Sequence, residues 1–297
     1  MDLFFECALF ILGLAFGSFL NVCIGRIPHD QSIVTPGSHC PACGAPVRWH
    51  DNVPLISWLR LRGRCRDCAG PISLRYPFVE LLTAILFTAC FIWFGQSWLT
   101  VKFCVFCFLL VGLIFMDAET GLLPHEFTYP GIVLGLGFSW LAPTDSAGTE
   151  VLLRAYQTHL PNVHQLSLLD SALGALVGAA FFYLAWALYY VVRKRHGIGF
   201  GDIALMAMSG AFLGLKLTLL VIFFAPLLAL VYAICLLVRQ RRREPVGSSP
   251  AGVADSSSGR EMILNREIQF GVFLGACSLA AVFLGETIWR WYLGFFR

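Results

Sequence analysis

Charge is what this chain has least of: 13% of its 297 residues are Asp, Glu, Lys or Arg, while 58% are hydrophobic. An ordinary soluble domain carries about twice that share of charge, so the composition excludes one and points to a polytopic membrane protein. The net charge of +3 implies no nucleic-acid surface. A signal peptide is excluded as well. The apolar run 3–24 is long and its positive charge, Arg26, follows it, the reverse of a secretory leader, so it reads as a first transmembrane helix. The zinc-protease pattern is missing, because His125-Glu126 would need a histidine at 129 and that residue is Tyr129. A disulfide framework is also absent. Of eleven cysteines, seven are scattered singly or lie in apolar spans, which leaves Cys40, Cys43, Cys65 and Cys68 as a set.

Apolar runs are abundant. After 3–24 they recur at about 77–97, 99–116, 128–143, 168–192, 203–215, 217–238 and 268–292, which predicts an all-α protein of about eight transmembrane helices. With 25–76 placed inside, sixteen Lys and Arg lie on the inner side and five (Lys102, Arg154, Lys216, Arg290, Arg297) on the outer. That asymmetry sets the orientation and puts both chain ends outside. The two runs meeting at Lys216 leave almost no loop between them. Residues 144–166 form an outer loop, and the Ser, Pro and Gly of about 239–267 predict a disordered inner one.

The segment 25–76 is the one folded polar piece. Its two CxxC knuckles, 40–43 and 65–68, lie about twenty residues apart, the spacing that closes a four-thiolate zinc site with no open position. Such a metal is structural. Gly44 and Gly70 are expected to relieve the backbone after each knuckle, and the flanking His39 and His50 are not expected to bind metal. A reducible disulfide pair is the alternative, disfavoured on the arginine-rich, reducing side of a membrane.

Two acids stand in unusual places. Asp202 closes Gly197-Ile198-Gly199-Phe200-Gly201-Asp202 at the head of an apolar run, where an ionised carboxylate needs a wet cavity or a partner. Alternate glycines let another segment approach it closely; a plain N-cap is the bland alternative. Asp117 ends the third span at the same predicted membrane face, followed by Gly121 and Pro124, which break the helix. Two carboxylates held together in a low-dielectric cleft share one proton, so one serves as base to a water and the other as acid, as in aspartic proteases. This chemistry calls for no metal. Glu80 is a third acid near that face, expected to pair with an arginine. A proton- or cation-coupled transporter or assembly subunit using Asp117 and Asp202 is the competing class, although a proton path would spread acids through the membrane depth.

Four stretches together resemble one family: Gly17-Ser18-Phe19-Leu20-Asn21-Val22 with Arg26 and Pro28, the double CxxC, Arg75-Tyr76-Pro77-Phe78-Val79-Glu80-Leu81-Leu82, and the two aspartate motifs. They are similar to the bacterial type IV prepilin peptidases, GxGD-type intramembrane aspartyl proteases. The resemblance implies Asp117 and Asp202 as catalytic residues and prepilins or type II secretion pseudopilins as substrates, cleaved at the cytoplasmic face of the bacterial inner membrane. It also implies N-methylation of the new terminus with S-adenosylmethionine. The organisation expected is helix 1 (1–24), a cytoplasmic zinc domain (25–76) and a membrane peptidase domain in contact with lipid (77–297). His125 stands where the family commonly has an acid, Ala204 where it has a lysine, and Gln269 and Val272 where it has prolines. Another intramembrane GxGD protease, of the presenilin type, is a third reading, and the zinc loop with the Gly17-to-Val22 and Arg75-to-Leu82 matches argue against it.

Overall fold

The computed structural model describes residues 2–144, 149, 153, 161–194, 199–241 and 269–294, and their regular structure is helical. The helices are α1 (Asp2–Arg26), α2 (Ile56–Arg60), α3 (Arg75–Phe94), α4 (Trp98–Thr120), α5 (His125–Leu141), α6 (Val163–Arg193), α7 (Phe200–Arg241) and α8 (Phe270–Gly294). Six of them, all but α2 and α5, are long and apolar enough to cross a membrane. The chain is a multi-pass membrane protein. Residues 163–166 of the expected outer loop 144–166 are helical. Asn162 and Gln165 form a reciprocal capping box that starts α6 at Val163, a signal legible in Asn-x-x-Gln. The expected disordered loop of about 239–267 lies outside the described residues beyond Arg241.

The 42 residues of α7 would extend about 63 Å as one rod, roughly twice a bilayer's hydrocarbon thickness. They do not form one rod. Gly214 has φ 76° and ψ 175° inside the run, and the partners on α8 show that the chain doubles back there. Ser209 meets Ser278 at 3.1 Å, Lys216 meets Glu286 at 2.7 Å, and the Tyr232 ring lies 5.3 Å from that of Phe273. Contact thus moves outward along α8 and then returns. The two expected runs, 203–215 and 217–238, are the two arms of α7, and glycine at the reversal supplies a backbone conformation that L side chains rarely adopt.

The first arm of α7 is central. Leu205, Met206, Met208 and Phe212 are fully buried with Leu110, Leu113 and Met116 of α4 and Leu274 of α8. At Gly174 and Gly210 the backbones of α6 and α7 touch directly, a spacing that small residues allow between membrane helices. The Gly17 motif does the same for α1 and α3. A methyl on Gly17 would lie 2.6 Å from Glu80 Cα, and Asn21 Nδ2 donates to the Tyr76 carbonyl at 3.0 Å.

Lys102 and Lys216, counted on the outer side, are buried within helices. Lys102 lies about 22 Å along α4 from Asp117; its Nζ has no hydrogen-bond partner among the described residues, and the charge of Asp170 in α6, itself 1% exposed and hydrogen-bonded by Thr149, acts on it. Lys216 pairs with Glu286, the form in which ionisable groups persist in such an interior.

Candidate active site

Asp117 and Asp202 come from different helices and lie at the same end of the bundle. Asp117 occupies the last turn of α4, where its carbonyl accepts the N–H of Gly121 at 2.8 Å; Gly121 is left-handed (φ 69°) and stops the helix. The link 121–124 then turns into α5, with Pro124 as its N-cap. The side chain of Asp117 is 4% exposed, and its Oδ2 accepts the backbone N–H of Val272, in the first turn of α8, at 2.9 Å. Asp202 is 8% exposed and lies within the first turn of α7, not at its N-cap; its own N–H donates to the Gly199 carbonyl at 3.2 Å. The two carboxylates lie within electrostatic range of each other.

Glycines make room for Asp117 and for Leu123 beside it. A methyl on Gly271 would sit 2.8 Å from Asp117 Oδ2, and one on Gly201 would sit 2.7 Å from Leu123 Cβ. Leu123, Gly271 and Val272 therefore line the candidate site; the sequence had marked Val272 only as a departure from the family pattern and had not marked Leu123 or Gly271. A backbone donor carries no residue-type signature, and Leu123 looked like one more apolar residue in a run. His125, by contrast, is exposed and stacks on Tyr129, with ring centroids 4.7 Å apart. Ala204 is buried one turn inside α7.

Glu80 does not pair with an arginine. It is 7% exposed and its Oε2 accepts the Leu55 N–H at 2.8 Å, tying the polar module to α3. Leu55 has φ 59°, and a buried carboxylate is a strong acceptor for the N–H of so unusual a turn. The neighbouring Arg75 takes Glu119 as its partner instead. Both contacts put the polar module at the same end of the bundle as the two aspartates.

The four knuckle cysteines converge, with all their sulfurs within 4.8 Å of one another. The two halves repeat the same turn. Cys40 N–H bonds Ala45 O at 2.9 Å and Gly44 N–H bonds Cys40 O at 2.9 Å; Cys65 N–H bonds Gly70 O at 2.8 Å and Ala69 N–H bonds Cys65 O at 3.0 Å. The positive φ falls on Gly44 (72°) in the first half but on Ala69 (56°) in the second. Gly70 has a different use: its N–H points at Cys68 Sγ from 3.4 Å, and a methyl there would come within 3.2 Å of that sulfur. Backbone N–H groups of Cys43 and Ala42 draw the Cys40 thiol down to about 6. The Ala45 N–H favours a Cys43 thiolate too, but the Cys68 thiol, burial, and the Cys40 and Cys65 thiols outweigh it and push Cys43 up to about 12. Four thiols this close cannot all ionise without a cation among them, and their chemistry fits a soft divalent metal. His39 is turned to the Gly37 carbonyl at 3.2 Å.

The chain is similar in sequence to known proteins. The Bacterial Peptidase A24 N-terminal domain matches residues 11–94, and the Type IV leader peptidase family matches residues 104–234. The chain is 41% identical to the Prepilin leader peptidase/N-methyltransferase of Myxococcus xanthus, over 84% of this chain and 70% of that one. This chain belongs to the type IV leader peptidase family. Proteins of the same name from Aeromonas hydrophila and Neisseria gonorrhoeae are 30% and 34% identical to it, over 96% and 80% of its length and 92% and 84% of theirs. No solved structure matches the chain. Within the family, its polar module falls in the first matched region, and Asp117 and Asp202 fall in the second.

Proposed function

We propose that this protein cleaves the leader peptide of type IV prepilins or type II secretion pseudopilins and N-methylates the new terminus, with Asp117 and Asp202 as the catalytic pair. The observation that supports this reading is two buried acids from different helices at one end of the bundle, within electrostatic range of each other, with a glycine at 271 leaving the Asp117 carboxylate uncrowded. Asp117 Oδ2 is engaged by Val272, so Oδ1 is the atom left for chemistry. It takes a proton from a water held between the acids, and the resulting hydroxyl attacks the scissile carbonyl. The protonated Asp202 hydrogen-bonds the developing oxyanion, and its proton then goes to the amide nitrogen, which leaves as an amine while the new C–O bond becomes a carboxyl. The proton gathered at Asp117 resets the pair.

The same reading places 25–76 as a zinc module whose thiolates Cys40, Cys43, Cys65 and Cys68 hold the metal and supply no catalytic group; residues 77–297 are the lipid-embedded peptidase domain. In this reading module and dyad face the cytoplasm at the bacterial inner membrane, which the excess of Lys and Arg on one side supports. The methyl donor is S-adenosylmethionine. Co-expression with a prepilin tests the whole reading, since the mass of the product's N-terminus reports cleavage and methylation together. An unprocessed prepilin beside well-expressed protein refutes it.

A further inference from the structure

We propose that Leu123 is the specificity-determining residue of the cleavage site, a stopper whose bulk decides which substrate side chain can lie against the two aspartates. The inference rests on the peptidase reading and adds a residue to it. Leu123 lies in the short link between α4 and α5. Its direction is set by the turn that ends the helix of Asp117: Gly121 is left-handed, the Leu122 N–H donates to Thr120 Oγ1 at 3.3 Å, and Pro124 caps α5. Of the two consecutive leucines in that turn, Leu122 points out and is 52% exposed, while Leu123 turns in.

Two glycine notches converge on this one side chain. The missing methyl of Gly201, next to Asp202, would meet Leu123 Cβ at 2.7 Å, Cδ1 at 3.2 Å and Cγ at 3.4 Å. The missing methyl of Gly271, beside Asp117, would meet Leu123 Cδ1 at 3.0 Å and the Asp117 carboxylate at 2.8 Å. Leu123 therefore fills the gap between the first turns of α7 and α8, against the space where a water and a scissile bond must fit. A peptide entering that space brings the side chains flanking the bond into the volume Leu123 already holds. Small residues pass beside it, and larger ones must displace it.

The test uses full-length protein in vesicles and a set of prepilins identical except for Gly, Ala, Val or Leu at the residue next to the scissile bond. Wild type is compared with Leu123→Ala, Leu123→Val and Leu123→Phe by kcat/KM. Loss of a few carbons from a pocket wall shifts discrimination by about 10- to 200-fold. Leu123→Ala should accordingly raise the kcat/KM ratio of the Leu to the Gly substrate at least about tenfold, with Leu123→Val in between and Leu123→Phe moving the ratio the opposite way. The Val variant, which removes one methylene, keeps the test intact if the Ala variant misfolds. An unchanged ratio, or a parallel fall for all four substrates, overturns the proposal. Asp117→Asn should cleave none of them, and a wild type that cleaves none overturns the peptidase reading and this inference together.

Discussion

Gly271→Ala isolates the geometry of the aspartate pair from the stability of the fold. Residue 271 lies in the first turn of α8, where alanine is favoured over glycine by up to about 1 kcal/mol, so the helix has no reason of its own to fail. The added methyl would lie 2.8 Å from Asp117 Oδ2 and 3.0 Å from both Asp117 Cγ and Leu123 Cδ1. Restoring an ordinary separation of about 3.5 Å requires the carboxylate to retreat by about 0.7 Å. A similar stretch of its 2.9 Å bond to the Val272 N–H takes that bond out of hydrogen-bonding range. Misplacement of a reacting group by about 1 Å costs on the order of a hundredfold in rate, or about 2.7 kcal/mol of barrier. The expected result is prepilin cleavage down about a hundredfold, with expression, thermal midpoint and metal content near wild type. Gly137→Ala is the control, because no atom lies within 4 Å of its added methyl, and it should leave cleavage unchanged. Cleavage by Gly271→Ala at near wild-type rate would refute the argument that Asp117 must sit where it does.

Asp117→Asn and Asp202→Asn should each abolish leader cleavage while leaving zinc content normal, and the double variant should be no worse than either single one, since the pair acts as a unit; a measured rate for Asp202→Asn near wild type sinks the assignment. His125→Ala should do far less, consistent with an exposed ring stacked on Tyr129; complete loss would bring it into the mechanism. Cys→Ser at 40, 43, 65 or 68 should lower metal content and destabilise the module, with methylation more sensitive than cleavage, as read by metal analysis and product mass; purified wild type with far less than one zinc per chain refutes the metal reading. Arg66 donates to the Asp51 carboxyl and holds it below the usual range. A depressed carboxyl stabilises the folded form above its unfolded value, about pH 4, and that contribution is lost as pH falls through the lower folded value. Asp51→Asn should therefore weaken the module at neutral pH and make no difference in strong acid, as followed by circular dichroism.

Much of this protein was legible in its residues taken one after another. Hydropathy alone located the six helices long and apolar enough to cross a membrane, two of the expected runs being the arms of one of them and 128–143 falling in the shorter α5, because lipid forces the backbone of each span to satisfy its own hydrogen bonds and leaves a run of apolar side chains as the trace. The two CxxC knuckles announced a four-thiolate site because each pair is made within a single turn. Asp117 and Asp202 stood out because carboxylates at the ends of apolar runs need a reason to be there. What lay beyond reach depended on which helix faces which. Glu80 took the N–H of Leu55 and not an arginine, since a backbone donor on a distant loop leaves no mark in the sequence. Lys102 and Lys216 were countable only as outer-side charges; the closed bundle shows that both are buried and that Lys216 pairs with Glu286. Ala69, not Gly70, adopted the left-handed turn, because the repeat of the knuckle geometry decides that position and residue preference does not. The reversal of α7 at Gly214 and the convergence of Gly201, Gly271 and Leu123 on the aspartates are likewise tertiary. Sequence order states how far apart these residues are along the chain, and only packing states that helices 4, 7 and 8 bring them within van der Waals contact.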